Sequence, residues 1–264
     1  MVRVDHLDFK YAHADILSQV TLDSSPGECM SIVGPNGAGK STLVKCIVGL
    51  LAPRNGRVKI DGENLADMKR MKIAQKVGYV PQSQSSLFPI RVFDMVLLGR
   101  RPHLSWKSSD NDLVKAMKSL VILKIENLAM KNFNEISGGQ QQKVIIARAL
   151  AQETEILLLD EPISNLDIKH QLEVMTLLRE LSKKHRITSI IVVHDLNIAA
   201  RFSDKIVMMK SGQVVTHGTP EKVFTKENIR NVYDVEVEIV YVKNKLHIIP
   251  LKASDGQSAE AIRI

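Results

Sequence analysis

The chain has 264 residues, of which 44% are hydrophobic and 25% charged, with a formal net charge of +7 and a pI near 9.3. That is enough for one large or two modest domains with a real core, in an ordinary globular balance. No apolar run approaches the roughly 20 residues needed to cross a bilayer, so any spanning at a membrane falls to other subunits.

Met1-Val2-Arg3-Val4-Asp5-His6 lacks signal-peptide character, and a cytoplasmic chain is expected. Cys29 and Cys46 have no metal-ligand spacing and read as buried, reduced thiols. The basic balance suits an anionic partner. There is, however, no Lys/Arg run, and aromatic residues are only 4% of the chain. A basic surface with nucleotide-binding positives is therefore expected, and no nucleic-acid partner.

In chain order, Arg3–Phe9 alternates as a strand and Ile16–Leu22 forms a second run, with Tyr11 at the turn between them. An aromatic there can stack on a base. Cys29–Val33, bounded by Pro26-Gly27, reads as a buried strand. Gly34-Pro35-Asn36-Gly37-Ala38-Gly39-Lys40-Ser41 follows, and then the helical stretch Thr42–Gly49. Strand, glycine loop and helix are the context in which G-x-x-x-x-G-K-[ST] binds phosphates. The glycines let backbone N–H groups turn inward around a polyphosphate, and the helix N-terminus adds positive potential. Lys40 then reaches the β- and γ-phosphates and Ser41 ligates Mg²⁺.

Arg57–Gly62 alternates again, and Lys76–Gln82 is a short strand stopped at Pro81. In a parallel sheet Gln82 stands on the side of the phosphate loop, where it can coordinate Mg²⁺ or orient a water. Residues 83–150 read as helical. Val92–Gly99 is a helix stopped by glycine and broken at Arg101-Pro102-His103, and Asp110–Leu123 resumes the pattern. Ile136-Ser137-Gly138-Gly139-Gln140 then leads into a helix over Gln141–Leu150. Ser137 is a natural N-cap there and the paired glycines expose N–H groups, which makes a second anion-binding tip.

Glu155–Pro162 is a buried strand closed by two acids. Adjacent residues on a strand face opposite ways. On that premise Asp160 holds Mg²⁺ through water and Glu161 addresses the attacking water. Ser164-Asn165-Leu166-Asp167 is a polar loop before the helix Lys169–Lys184. Ser189–Asp195 repeats the design, with His194 at the strand end able to reach a γ-phosphate or stabilise the base. Lys205–Lys210 and Gln213–Gly218 form a hairpin about Ser211-Gly212. A helix pair over Pro220–Asp234 and a second hairpin about Lys243-Asn244 follow. Residues 253–264 are expected to fray.

The order of these motifs is more specific than any one of them. Over residues 1 to about 240 the chain resembles the nucleotide-binding subunit of an ATP-binding cassette (ABC) transporter. The resemblance implies the ABC ATPase fold: an α/β P-loop core with a mixed sheet, an antiparallel β subdomain and an inserted helical subdomain. Residues 1–82 and 151–240 would form the core with the β subdomain, 83–150 the helical subdomain, and 241–264 a C-terminal extension. Gly34, Pro35, Asn36, Gly37, Ala38, Gly39, Lys40, Ser41 and Thr42 match the family's Walker A loop, and Tyr11 its adenine-stacking aromatic. Gln82 matches the Q-loop, Asp160 and Glu161 the Walker B aspartate and catalytic glutamate, Asp167 the D-loop contact between subunits, and His194 the switch histidine. Ser137, Gly138, Gly139 and Gln140 match the signature, with Ile136 in place of the usual leucine.

The resemblance implies an active ATPase using ATP and Mg²⁺, working as a homodimer in which each signature completes the partner's site. It further implies membrane-embedded permease subunits, an indirect link to a periplasmic or extracellular substrate-binding protein, and a place on the cytoplasmic face of the membrane. Gly99-Arg100-Arg101-Pro102-His103 and Thr219–Glu238 are similar to the ATPases of iron–siderophore, haem and vitamin B12 importers. In that group the former segment borders the groove that receives the permease. The ATPase of an exporter fits the motifs but not that segment. A soluble ABC ATPase of DNA repair or translation would need long coiled coils or a second cassette, and neither is present.

Overall fold

The computed structural model describes residues 1–12, 14–82, 89–103, 108–164 and 166–254. Parts of the expected helical stretch (83–88 and 104–107), Asn165 and the expected frayed end (255–264) lie outside the described residues.

The chain opens with β1 (Val2–Tyr11) and β2 (Ala14–Ser24), then β3 (Cys29–Val33), α1 (Lys40–Ile47), β4 (Asn55–Ile60), the short β5 (Glu63–Asn64), α2 (Arg70–Lys76) and β6 (Val77–Val80). Next come α3 (Val92–Leu97), a 3₁₀ turn over Leu98–His103, α4 (Asp110–Ile122) and α5 (Gly138–Ala151). They lead to β7 (Ile156–Asp160), α6 (Ile168–His185), β8 (Thr188–Val192) and α7 (Leu196–Phe202). The hairpin β9 (Lys205–Lys210) and β10 (Gln213–Gly218), the helices α8 (Pro220–Val223) and α9 (Lys226–Tyr233), and the hairpin β11 (Val235–Val242) and β12 (Lys245–Ala253) complete the order.

Among the described residues the main sheet runs β10-β9-β3-β8-β7-β6, and a second, antiparallel sheet runs β2-β1-β4-β5. In the main sheet β9, β3, β8, β7 and β6 pair parallel and only β10 is antiparallel. Every residue of β3, β7 and β8 is buried, because a parallel sheet is covered on both faces. The period of two then divides the core. Met30, Ile32, Ile156, Leu158, Ile190 and Val192 join the core under α1 and the antiparallel sheet. Cys29, Val33, Leu157, Leu159 and Ile191 join the core formed with α3 to α7. Both cysteines are free and buried, and burial pushes each thiol up to about 12, so they are inert.

β6 and β7 are parallel neighbours, and the chain leaves the sheet between them to build α3, α4 and α5. Helix α3 ends at Leu97, just before Gly99, as expected. Gly99 lies in the 3₁₀ turn, where a Cβ would come within 2.0 Å of the Arg148 carbonyl oxygen, so only glycine permits this approach to α5. Three expectations need correction. Within that turn Arg100 is buried. Its side chain is 4% exposed and bonds Asp112 at 2.9 Å, the Ala151 carbonyl at 2.7 Å and Glu153 at 3.0 Å. The helix after the Ser-Gly-Gly tip begins at Gly138 rather than Gln141, because Ser137 is its N-cap. Helix α2, which the sequence reading left out, packs along β6. β11 spans residues 240 and 241, so the boundary expected there falls inside a strand.

Candidate functional site

Strand β3 delivers the chain to the loop Gly34–Gly39, and three of its glycines have positive φ: 155° at Gly34, 79° at Gly37 and 91° at Gly39. At Gly34 a Cβ would sit 2.3 Å from the Met209 carbonyl oxygen, and at Gly39 it would sit 2.7 Å from Leu17 Cδ2. Gly37 meets nothing within 4 Å, so the tip of the loop is open. Asn36 and Gly37 are exposed, Pro35, Gly39 and Thr42 half-buried, and Ala38 buried.

Lys40, 5% exposed, starts α1 and turns its ammonium back, donating to the Gly34 carbonyl at 2.7 Å and the Pro35 carbonyl at 2.9 Å. Burial lowers its pKa, while the Glu161 and Asp160 carboxylates act the other way. Ser41 Oγ donates to Asp160 Oδ1 at 2.8 Å. Asp160 is 2% exposed, and burial raises its carboxyl above the ordinary range against the Ser41 hydrogen bond. A buried carboxylate beside a hydroxyl is an all-oxygen donor pair, the kind that suits a hard divalent cation.

The parallel register brings a second group to the same edge. Val80 pairs with Leu159 and Asp160 with Val192, so β6, β7 and β8 end together. Gln82, Glu161 and His194 follow those ends. Gln82 Nε2 donates to Glu161 Oε2 at 2.8 Å, and His194 Nε2 lies 2.6 Å from Glu161 Oε1. Each oxygen of the one carboxylate therefore faces a different neighbour.

The expected alternation of Asp160 and Glu161 on a strand does not occur. The strand ends at Asp160, and Glu161 sits in the left-handed region at φ 52°. A turn, not the pleat, separates the two acids, and it holds a non-glycine residue in a conformation that costs energy.

Ser137 opens helix α5. Ser137 and Gln140 satisfy each other in a capping box. The neighbours of Gly139 are Leu166 and His170, and Gly138 has none within 4 Å of a Cβ position. A groove of about 170 Å³ is lined on one side by Gly138 and Gln141 and on the other by Gln82 and Glu161. Asp167 caps α6, accepting from the His170 backbone N–H at 2.9 Å with the His170 ring at 2.8 Å, and remains 66% exposed. Tyr11 ends β1, 47% exposed, with its ring edge-to-face on Phe9 at 4.8 Å.

Two residues that the sequence reading left out reach this region from the C-terminal part of the chain. The Tyr233 hydroxyl is buried beside the Gly34 N–H, and burial raises its pKa. Asn197, on α7 just beyond His194, bonds the backbone of Ile248. No local pattern marks either one, because each contact joins segments far apart in the chain.

A family model described as "ABC transporter" matches residues 17–164. An uncharacterized ABC transporter ATP-binding protein of Methanocaldococcus jannaschii is 46% identical over 251 residues, covering 95% of this chain and 98% of that one. The ferric enterobactin transport ATP-binding protein FepC of Escherichia coli is 34% identical over 243 residues, covering 90% and 89%. Among solved structures, one described as "An inward-facing conformation of a putative metal-chelate type ABC transporter" superposes with a TM-score of 0.84 at 30% identity, over 95% of this chain and 97% of that one.

Proposed function

This chain belongs to the ABC transporter family as an ATP-binding, ATP-hydrolysing subunit, and on that premise we propose that it powers an importer of an iron–siderophore, haem or vitamin B12. The observation that carries the catalytic part is Glu161, held between Gln82 and His194 on the same sheet edge as Lys40 and the Ser41–Asp160 pair. The importer class is supported by FepC, by the metal-chelate type structure, and by the likeness of Gly99–His103 and Thr219–Glu238 to that group.

In this reading the backbone N–H groups of Gly37 to Thr42 cradle the phosphates at the start of α1. The Lys40 ammonium exchanges its two carbonyl partners for β- and γ-phosphate oxygens, and desolvation makes that charge more effective. Ser41, whose hydroxyl keeps its hydrogen and donates it to Asp160 Oδ1, would hold Mg²⁺ together with Gln82. When bound, the ion neutralises charge on the phosphates. Glu161 accepts the proton of the attacking water as general base, and His194 orients the carboxylate and meets the γ-phosphate. Tyr11 stacks on the adenine.

The phosphate loop covers one face of the nucleotide only. We assign the other face to Ser137, Gly138, Gly139 and Gln140 of a second copy, since Gly138 is open. Asp167 lies at that interface. Permease subunits complete the assembly, with a substrate-binding protein acting through them. Among the described residues no helix is long and apolar enough to cross a membrane, and the place assigned to the chain is peripheral, against the permease on the cytoplasmic face. The domain division proposed is a core and β subdomain over 1–82 and 151–234, a helical subdomain inserted between them, and an extension that starts with β11.

The test is purification from membranes followed by ATP turnover. Co-purification with a polytopic permease, and uptake of a ferric chelate or corrinoid into vesicles that depends on this chain, support the reading. Turnover stimulated by ribosomes or DNA ends, with no membrane partner, sinks it.

A further inference from the structure

The C-terminal hairpin is tied into the nucleotide site. A two-stranded ribbon leaves outward-facing N–H and C=O groups along both edges. Ile248 lies opposite Ile239 on β11, and its own N–H and C=O turn away from that partner. Asn197 meets both. Ile248 N–H donates to Asn197 Oδ1 at 2.7 Å, and Asn197 Nδ2 donates to the Ile248 carbonyl at 3.1 Å. One side-chain amide thus stands in for one residue of a third strand.

Asn197 sits in the first turn of α7, and that turn is fixed to His194. Asp195 is the N-cap, with its Oδ1 accepting from the Asn197 N–H at 2.8 Å and the Ile198 N–H at 3.0 Å. On the other side of His194, the Val193 N–H donates to the Ile32 carbonyl of β3 at 3.1 Å. His194 is therefore strung between two anchors, the main sheet and β12.

The hairpin is itself well held. Lys226 bonds Glu238 at 2.8 Å, the Ser254 N–H closes on the Asp234 carbonyl at 2.8 Å, and Val237, Leu246 and Ile248 are buried in the core. At the start of the hairpin, α9 places Tyr233 beside Gly34. Ile248, 51 positions beyond Asn197, thus folds back to brace the segment that carries the histidine.

We propose that Asn197 is a positioning residue for ATP hydrolysis, holding His194 against Glu161 by bracing the start of α7 on the C-terminal hairpin. This rests on the reading that Glu161 and His194 act in the hydrolytic step. Small displacements of such groups are costly, since a shift of about 1 Å can slow a reaction by roughly 10²-fold.

The experiment is steady-state ATP hydrolysis by the full-length chain carrying Asn197→Leu, Asn197→Asp, His194→Ala, or His194→Ala with Asn197→Leu. Asn197→Leu keeps the side-chain size and removes both hydrogen bonds. It should lower kcat by about tenfold while KM for ATP moves by less than about twofold, because the loss lies in the transition state. Asn197→Asp retains the acceptor for the Ile248 N–H, should fold where the leucine variant does not, and should fall between the two. In the His194→Ala background Asn197→Leu should cost nothing further, since residues acting as a unit are not additive. Wild-type kcat in Asn197→Leu, or the same loss on top of His194→Ala, overturns the inference. Wild-type kcat in His194→Ala overturns the reading of the site on which it rests.

Discussion

Replacing Gly34 by alanine should disable the phosphate loop, whereas the same change at Gly37 should be tolerated by the fold. Both residues have positive φ, 155° and 79°, so both variants pay for a conformation that L side chains avoid. That cost is about 1–2 kcal/mol. The surroundings separate them. At Gly37 the new methyl meets nothing within 4 Å, and the backbone cost stands alone. At Gly34 it would lie 2.3 Å from the Met209 carbonyl oxygen, well inside any real contact. Met209 cannot step back, because β9 is paired with β3 on one side and β10 on the other. Gly34 must move instead, and its carbonyl carries the Lys40 ammonium at 2.7 Å. Forced overpacking of this kind brings the total to about 3 kcal/mol or more.

At about 2–4 °C per kcal/mol for a chain of this size, Gly37→Ala should melt about 2–8 °C below wild type. Gly34→Ala should melt further below and lose the upward shift that ATP binding confers. Thermal unfolding followed by circular dichroism, with and without Mg-ATP, makes the comparison. A Gly34→Ala protein that melts with Gly37→Ala and keeps the full ATP shift would refute the packing argument.

Glu161→Gln leaves an amide that can accept from only one of its two neighbours. Turnover should fall by about 10²–10⁴-fold, as for loss of a general base, with ATP binding retained and a nucleotide-bound dimer appearing on size exclusion. Hydrolysis at the wild-type rate would remove Glu161 from the mechanism. Asp160→Asn should melt at or above wild type without nucleotide, because burial raises the Asp160 carboxyl and the charge is a burden to the empty fold. A raised acid binds its proton better folded than unfolded, so stability from this site rises as pH falls through the folded value, and the asparagine variant should lack that slope. It should also lose the extra stabilisation that Mg²⁺ adds to ATP. A marked fall in melting temperature without nucleotide would contradict this account.

At Asp112 the sign is opposite. The Ser109 hydroxyl and N–H, with the Arg100 guanidinium, hold its carboxyl well below the ordinary range. Its contribution is complete above the unfolded value of about 3.9 and drains away as pH falls below it. Arg100→Met should lower stability at pH 7, leaving Asp112 without its cation, and flatten the acid limb of urea unfolding midpoints. Parallel acid limbs for variant and wild type would show that the pair plays no part.

The sequence by itself determined what is local. Glycine and proline punctuate the chain where β3, the phosphate loop and α1 meet. Runs such as Leu157–Leu159 and Ile190–Val192 announce buried parallel strands. Ser211-Gly212 and Lys243-Asn244 mark two hairpins whose turn residues all have positive φ. Because parallel strands carry their chemistry at their C-terminal ends, Gln82, Asp160, Glu161 and His194 could be placed on one edge before any coordinates.

What needed the tertiary structure is whatever depends on contacts distant in the chain. Arg100 stands in a segment legible only as a family resemblance, and only the packing of α4 and α5 makes it a buried ion pair with Asp112. Two adjacent acids look like strand neighbours, and only the turn at φ 52° shows that Glu161 is aimed by the backbone at Gln82 and His194. Asn197 carries no motif at all. Its partner lies 51 residues away, on a strand edge whose free N–H and C=O exist only once the hairpin has formed. Periodicity and turn chemistry report on neighbours in sequence, whereas burial, desolvation and edge pairing are properties of surfaces that only folding brings together.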